Sequence, residues 1–168
     1  MTPTLAGAAT NLITVDIADI RVSKDPASVI VTYALGSCVA VIVHDPIRRI
    51  GGMIHYMLPL AQTAPDKARG NPAMFADTGI PVLFRSVYEL GCRKEDLVVK
   101  VAGGGSLYDD KGTFEIGRRN YVVLRKMFWK TGVMIAAEDV GGSKSRTVRL
   151  NVGTGQVVVR SQGEETEL

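Results

Sequence analysis

A thiol and an imidazole stand at the edges of two neighbouring apolar runs, and such a pair can make a nucleophile and its base. Cys38 closes the stretch Thr32-Tyr-Ala-Leu-Gly-Ser-Cys38, and His55 lies within Gly51-Gly-Met-Ile-His55-Tyr-Met-Leu-Pro59. The chain has only two cysteines and two histidines, so the pairing comes from a short list. Free cysteines are among the most buried residue types, and an inert core thiol is the plain alternative for Cys38. Three details favour chemistry. Gly36-Ser37 breaks the strand before the thiol, and such a bend aims the N–H groups of Ser37, Cys38 and Val39 at one point, as an oxyanion site requires. His55 offers a base with an unperturbed pKa near neutrality. Thr32, at the edge of the preceding strand, can orient the imidazole through its hydroxyl.

The elements that must bring these residues together follow from periodicity and punctuation. Leu12–Ile17 alternates apolar and polar side chains and reads as a half-buried strand. Ser28–Tyr33 and Cys38–Val43 are β-branched runs separated by Leu35-Gly-Ser. Asp45-Pro46 through Gly51 makes a turn, and Met53–Leu58 returns as the next strand until Pro59. A hairpin between residues 38–44 and 52–58 sets Cys38 opposite the far end of the returning strand, near His55 to Leu58. A slip of one residue would turn a side chain to the other face.

Further along, residues 60–76 are rich in Pro, Gly, Asn, Asp and Lys and read as a long surface loop. Asp77-Thr78 is expected to cap a helix running to Leu90, with Ile80, Leu83, Phe84 and Val87 as its apolar stripe. Leu97–Ala102 reads as a buried strand, and Gly103-Gly-Gly105 opens a polar loop to Thr113. A second amphipathic helix spans about Gly117 to Lys130, and Val133–Ala137 is another strand. Thr147–Val152 and Gln156–Arg160 form a hairpin about Gly153-Thr-Gly155. The acidic tail from Glu164 reads as loose. Hairpins around two helical crossovers predict an α+β fold, with sheets packed in layers and helices on one side. One domain over residues 1–168 is expected, with 1–11 and 163–168 flexible.

Composition narrows the class. Apolar residues make up 46% of the 168, and charged residues 22%, which suits a folded core. No apolar run reaches the roughly 18 residues of a membrane span, and no basic segment precedes Leu5–Ala9 as in a signal peptide. Two distant cysteines do not make a disulfide framework, so a cytoplasmic, reducing setting is expected. The net charge of +3 is scattered, without the interleaved aromatics of a nucleic-acid surface. No nucleic-acid partner and no membrane insertion are expected.

Rival sites are weaker on their residues. His44 precedes Asp45-Pro46 and reads as an exposed turn position. Cys92 follows Gly91 beside Arg93, Lys94 and Glu95 and reads as a surface or half-buried thiol without a partner. Zinc held by Cys38, Cys92, His44 and His55 would have suitable donors but no CxxC or HxxxH spacing. Gly103–Ser106 lacks both phosphate-loop patterns and reads as a tight turn. Ser37 fails the GxSxG elbow. Neither a metal nor a cofactor is expected.

Leu35-Gly-Ser-Cys38-Val-Ala-Val with Gly52-Met-Ile-His55-Tyr-Met-Leu-Pro59 resembles the signature of the CheD chemoreceptor glutamine deamidases. The resemblance continues through Phe75-Ala-Asp-Thr78, Val101–Gly105, Ile116-Gly-Arg-Arg-Asn120 and Glu138–Gly142, with Arg146 beyond. It covers about residues 12 to 160. Phe75 stands where Tyr is more frequent, and Val140 where Thr is common. The resemblance implies a cysteine hydrolase that converts glutamines of methyl-accepting chemotaxis receptors to glutamate. Cys38 is then the nucleophile, His55 the base and Thr32 the third member. It also implies a layered α/β/β fold similar to the catalytic core of cytotoxic necrotizing factor toxins, and binding to CheC-type phosphatases of phosphorylated CheY. Two other classes fit the residues: a module that regulates such a phosphatase, and a cysteine protease using the same pair. No feature marks the cleft that a protease needs.

Overall fold

In the computed structural model, which describes residues 10–106 and 115–168, the apolar runs become two five-stranded sheets. The first sheet has the order β2-β5-β4-β6-β7, built from β2 (Asp19–Ser23), β5 (Ile50–Tyr56), β4 (Val39–Asp45), β6 (Val98–Gly103) and β7 (Ile135–Val140). The second has the order β1-β3-β8-β9-β10, built from β1 (Asn11–Thr14), β3 (Ser28–Leu35), β8 (Arg146–Asn151), β9 (Val157–Ser161) and β10 (Glu164–Glu167). Among the described residues, three α-helices accompany them: α1 (Pro65–Gly70), α2 (Ala76–Glu89) and α3 (Ile116–Thr131). The pairings are mixed. β1–β3 and β6–β7 run parallel, and the others antiparallel.

Strand alternation divides the buried side chains into two cores. Val39, Val41 and Val43 of β4, with Ile54 and Tyr56 of β5, pack against Ile80, Leu83 and Val87 of α2 and Leu124 and Phe128 of α3. The alternate residues Ala40, Ile42 and Met53 face the second sheet and meet Ile30, Leu35, Val148 and Leu150. Every residue of β4 and β5 is buried because each strand has a packed layer on both faces. The result is a helix layer on one face of the first sheet and the second sheet on its other face. The expected α+β class is what the chain adopts.

Four local expectations are corrected. The strand foreseen at 12–17 ends at Thr14, and a second strand, β2, follows in the other sheet. Ala18, with φ of 58°, turns the chain between them. The loop foreseen at 60–76 holds α1 and two single-turn helices, Ala61–Thr63 and Pro72–Met74. Pro65 and Pro72 each sit at a helix start, where a missing N–H costs nothing. Asp77 and Thr78 do not cap α2, which begins at Ala76 after Phe75. The Asp77 carboxylate instead accepts from Ala61 N, and the Thr78 hydroxyl donates to Pro72 O. The tail from Glu164 is not loose: the turn Gln162-Gly163, both with positive φ, folds it onto β9 as β10. Residues 1–9 and most of the polar loop after Ser106 lie outside the described residues.

Candidate active site

The β4–β5 ladder decides whether the thiol and the imidazole share a face. Val39 pairs with Tyr56 and Ala40 with His55, so Cys38 falls across from Met57. Cys38, Ala40 and His55 thus point into the space between the sheets, with Cys38 and His55 as diagonal neighbours. Such neighbours are about 7–8 Å apart at the backbone, within reach of long side chains. Directly opposite His55 stands Ala40, whose small side chain leaves room for the imidazole. Cys38 is half-buried and His55 is buried.

Thr32 comes from β3 in the facing sheet. Its hydroxyl donates to Val15 O at 2.8 Å and lies 2.7 Å from His55 Nδ1. Val15 O can only accept, so the single hydroxyl proton is spent there. Thr32 Oγ1 must therefore accept from Nδ1–H. This assigns the tautomer and leaves the lone pair on Nε2. That atom is buried and makes no hydrogen bond, to Cys38 Sγ or to any other group. Burial lowers the His55 pKa to about 4 and raises that of the Cys38 thiol. The resting pair is a neutral thiol and a neutral imidazole.

Three consecutive carbonyls hold the nucleophile loop. Gly36 O accepts from Gly105 N at 2.8 Å, and Cys38 O accepts from Gly104 N at 2.8 Å. Ser37 O accepts from Asn120 Nδ2 at 3.0 Å, and the same amide reaches Met57 O at 2.9 Å. A trans peptide points its N–H opposite to its carbonyl, so the N–H groups of Ser37, Cys38 and Val39 face away from these anchors. In the antiparallel ladder, Val39 N–H turns toward Tyr56. Ser37 and Cys38 precede the strand. The Cys38 N–H also lies against its own sulfur, where it opposes part of the rise in the thiol pKa.

The triglycine supplies close approach rather than a turn alone. Gly103 has φ of 111°, and a Cβ there would sit 2.3 Å from Cys38 O. Behind it, buried Arg146 donates to Gly103 O and Gly141 O and pairs with Asp139 at 3.2 Å. Asn120 and Arg146 entered above only as part of the family resemblance, yet both carry a readable signal of their own. Asn120 interrupts the buried α3 stripe of Gly117, Leu124 and Phe128. Arg146 takes the inward parity of β8 alongside Val148 and Leu150.

The rival residues are placed elsewhere. His44 is buried, not exposed: its Nε2 lies 2.8 Å from Val152 O, and its ring packs on Gly155. Asp45, at the start of the turn, is also buried and accepts from Ile47 N, Arg48 N and Arg48 Nη1. Cys92 is buried too. Burial and then Asp45 push its thiol up to about 11. Among the described residues, no three His, Cys, Asp or Glu side chains converge as a metal-binding group.

The chain is similar to known proteins over most of its length. The family model described as CheD, chemotactic sensory transduction, matches residues 57–161. The chain is 52% identical over 149 residues to the probable chemoreceptor glutamine deamidase CheD 1 of Syntrophus aciditrophicus, covering 89% of this chain and 93% of that protein. It is also 52% identical over 151 residues to the probable chemoreceptor glutamine deamidase CheD 2 of Anaeromyxobacter dehalogenans, covering 90% and 95%. Identity to the chemoreceptor glutamine deamidase CheD of Thermotoga maritima is 39% over 154 residues, covering 92% and 94%.

Proposed function

The chain belongs to the CheD family, and from that premise we propose that it is a glutamine deamidase of methyl-accepting chemotaxis receptors, with Cys38 as nucleophile. The observation that carries this reading is the Thr32–His55 contact. Because the threonine proton is committed to Val15 O, Nε2 is left as an unpartnered base on the face that Cys38 shares.

His55 Nε2 takes the Cys38 thiol proton as sulfur attacks the glutamine carboxamide carbon. The carbonyl π electrons move to oxygen, and the resulting oxyanion is received by the N–H groups of Ser37 and Cys38. Val39 N–H, part of the expected set, is engaged in the ladder. As the tetrahedral intermediate collapses, the C–N bond breaks and imidazolium Nε2–H protonates the leaving nitrogen, releasing ammonia. Water, deprotonated by His55, then attacks the thioester, and the C–S bond breaks to give glutamate and free thiol. Thr32 keeps Nδ1–H pointed away from the reaction throughout. The paired pKa shifts support a thiol deprotonated during attack, without a standing ion pair.

The same tetrahedral chemistry would hydrolyse receptor glutamyl methyl esters. A CheC-type phosphatase partner, a cytoplasmic setting and a core like that of the cytotoxic necrotizing factors accompany the reading as implications of the family resemblance. No helix among the described residues is long and apolar enough to cross a membrane.

The test is incubation of a receptor cytoplasmic fragment with wild-type protein or Cys38→Ala, read by peptide mass. Glutamine-to-glutamate conversion with wild type alone is expected. Full conversion by Cys38→Ala would remove the nucleophile, and chain cleavage would make the protein a protease.

A further inference from the structure

α3 begins at the nucleophile loop and leads away from it with an exposed, mainly cationic face. Its sequence contains Arg118, Arg119, Arg125, Lys126 and Lys130 and no acidic residue. All five cations are exposed. At 3.6 residues per turn, Arg118, Val122, Arg125 and Trp129 line up along the middle of this face. Trp129 is 85% exposed and Val122 38%, while Leu124 and Phe128 on the other side enter the core.

We propose that this outward ridge of α3 is the docking surface for an acidic helical segment of the protein substrate. The proposal rests on the deamidase reading and names the substrate feature that the enzyme grips. Three observations carry it. The first is charge: Arg119, Arg125, Lys126 and Lys130 stand exposed along the helix, and Arg118 joins them while sharing a surface ion pair with Glu115 at 3.6 Å. The second is spacing. The i, i+4, i+7, i+11 ridge, with apolar contacts at Val122 and Trp129, is the form in which one helix packs along another. Trp and Arg are also the side chains over-represented at binding hot spots.

The third is continuity with the site. Gly117 is seated on the backbone of Gly104 and Gly105, and Asn120 holds Ser37 O. The ridge therefore starts beside the Cys38 loop and extends roughly 16 Å from Arg118 to Trp129. A helix laid along it would keep one end beside the loop that carries Cys38. A membrane surface is the weaker match, because an interfacial helix needs a broad apolar face, and Val122 and Trp129 are the only large exposed apolar side chains on α3.

The experiment compares full-length protein with an Arg118→Glu/Arg125→Glu double variant and with Trp129→Ala. Binding of a receptor cytoplasmic fragment is measured in the Cys38→Ala background, and deamidation kinetics in the active background. Anionic phospholipid vesicles serve as the competing probe, and iodoacetamide labelling of Cys38 reports an intact site. We expect fragment Kd and KM to rise about tenfold or more in each variant, with kcat and labelling unchanged. Salt should weaken binding of the parent and have little effect on the double variant. Unchanged Kd and KM in both folded variants would overturn the proposal. So would no fragment binding by the parent, or lost affinity for vesicles alone. Binding through α3 without conversion of any glutamine would leave the docking surface standing and remove the deamidase reading.

Discussion

Thr32 and His55 belong to different sheets, yet Thr32 Oγ1 and His55 Nδ1 are 2.7 Å apart. The contact crosses the inter-sheet core, so the orientation of the base depends on how the two sheets are stacked.

Thr32→Val keeps the shape of the side chain and removes its hydroxyl. Val15 O and His55 Nδ1–H then lose their partner in the buried space between the sheets, at about 1–3 kcal/mol for each group. The imidazole is also freed to exchange tautomers. Urea unfolding should show the stability loss, and kcat should fall roughly a hundredfold, within the range of a general-base contribution. Thr32→Ser should recover most of both. A Val variant with wild-type kcat would show that the hydroxyl does not orient the base.

Burial of His55 sets a pH signature. Its folded pKa of about 4 lies below the ordinary value near 6.5, so the unfolded chain binds a proton that the folded chain refuses. Stability contributed by the neutral imidazole is present above pH ~6.5 and is lost as pH falls toward 4, amounting to about 3 kcal/mol at most. Denaturant midpoints from pH 7 to 4 should fall more steeply for wild type than for His55→Gln. Deamidation should keep its acid limb well below pH 6.5, since the base stays unprotonated to lower pH. Equal slopes for the two proteins would place the acid sensitivity elsewhere.

Where local pattern decides geometry, the sequence was legible. The apolar runs about the turn at residues 45–51 specify a hairpin of residues 38–44 with 52–58 that brings Cys38 near His55, and the ladder supplies the register that those uniformly apolar runs leave open. Where a polar side chain serves a distant backbone, local pattern misleads. His44 before Asp45-Pro46 has the signature of an exposed turn, but it is drawn inward to Val152 O, 108 residues away. Asp77 has the signature of a helix cap, but its carboxylate is taken by Ala61 N. Asn120 and Arg146 gain their meaning only when the loops at residues 36–38, 103–105 and 141 meet. Ala18 and Gln162, non-glycine residues with positive φ, hid the turns that create β2 and β10.

Gly103→Ala tests how tightly the triglycine seats the nucleophile. The substitution pays the strain of a positive φ and drives a methyl group against Cys38 O, the acceptor for Gly104 N. Gly141→Ala is the control, with φ of 79° and nothing within 4 Å of its added Cβ. Both should lose about 1 kcal/mol to strain. Only Gly103→Ala should lose more and also slow iodoacetamide labelling of Cys38. Matched behaviour of the two variants would mean that the loop tolerates displacement.

Asn120 joins the two halves of the site, because one amide nitrogen holds Ser37 O before the thiol and Met57 O after the imidazole. Asn120→Ala releases both carbonyls. The α3 turn itself stays tied through Tyr56 Oη, which donates to the main-chain O of residue 120 at 2.8 Å. The variant should therefore fold, with a stability loss of about 1–3 kcal/mol for the unpaired acceptors. Its kcat should fall at least tenfold with KM unchanged, since the amide positions the nucleophile without touching substrate. Asn120→Asp should be worse, because a carboxylate would face two carbonyl oxygens. Tyr56→Phe supplies the contrast: it removes the helix tie and should lower stability while leaving kcat near wild type. If Asn120→Ala lowers the melting temperature as Tyr56→Phe does and leaves kcat unchanged, Asn120 contributes to the fold alone.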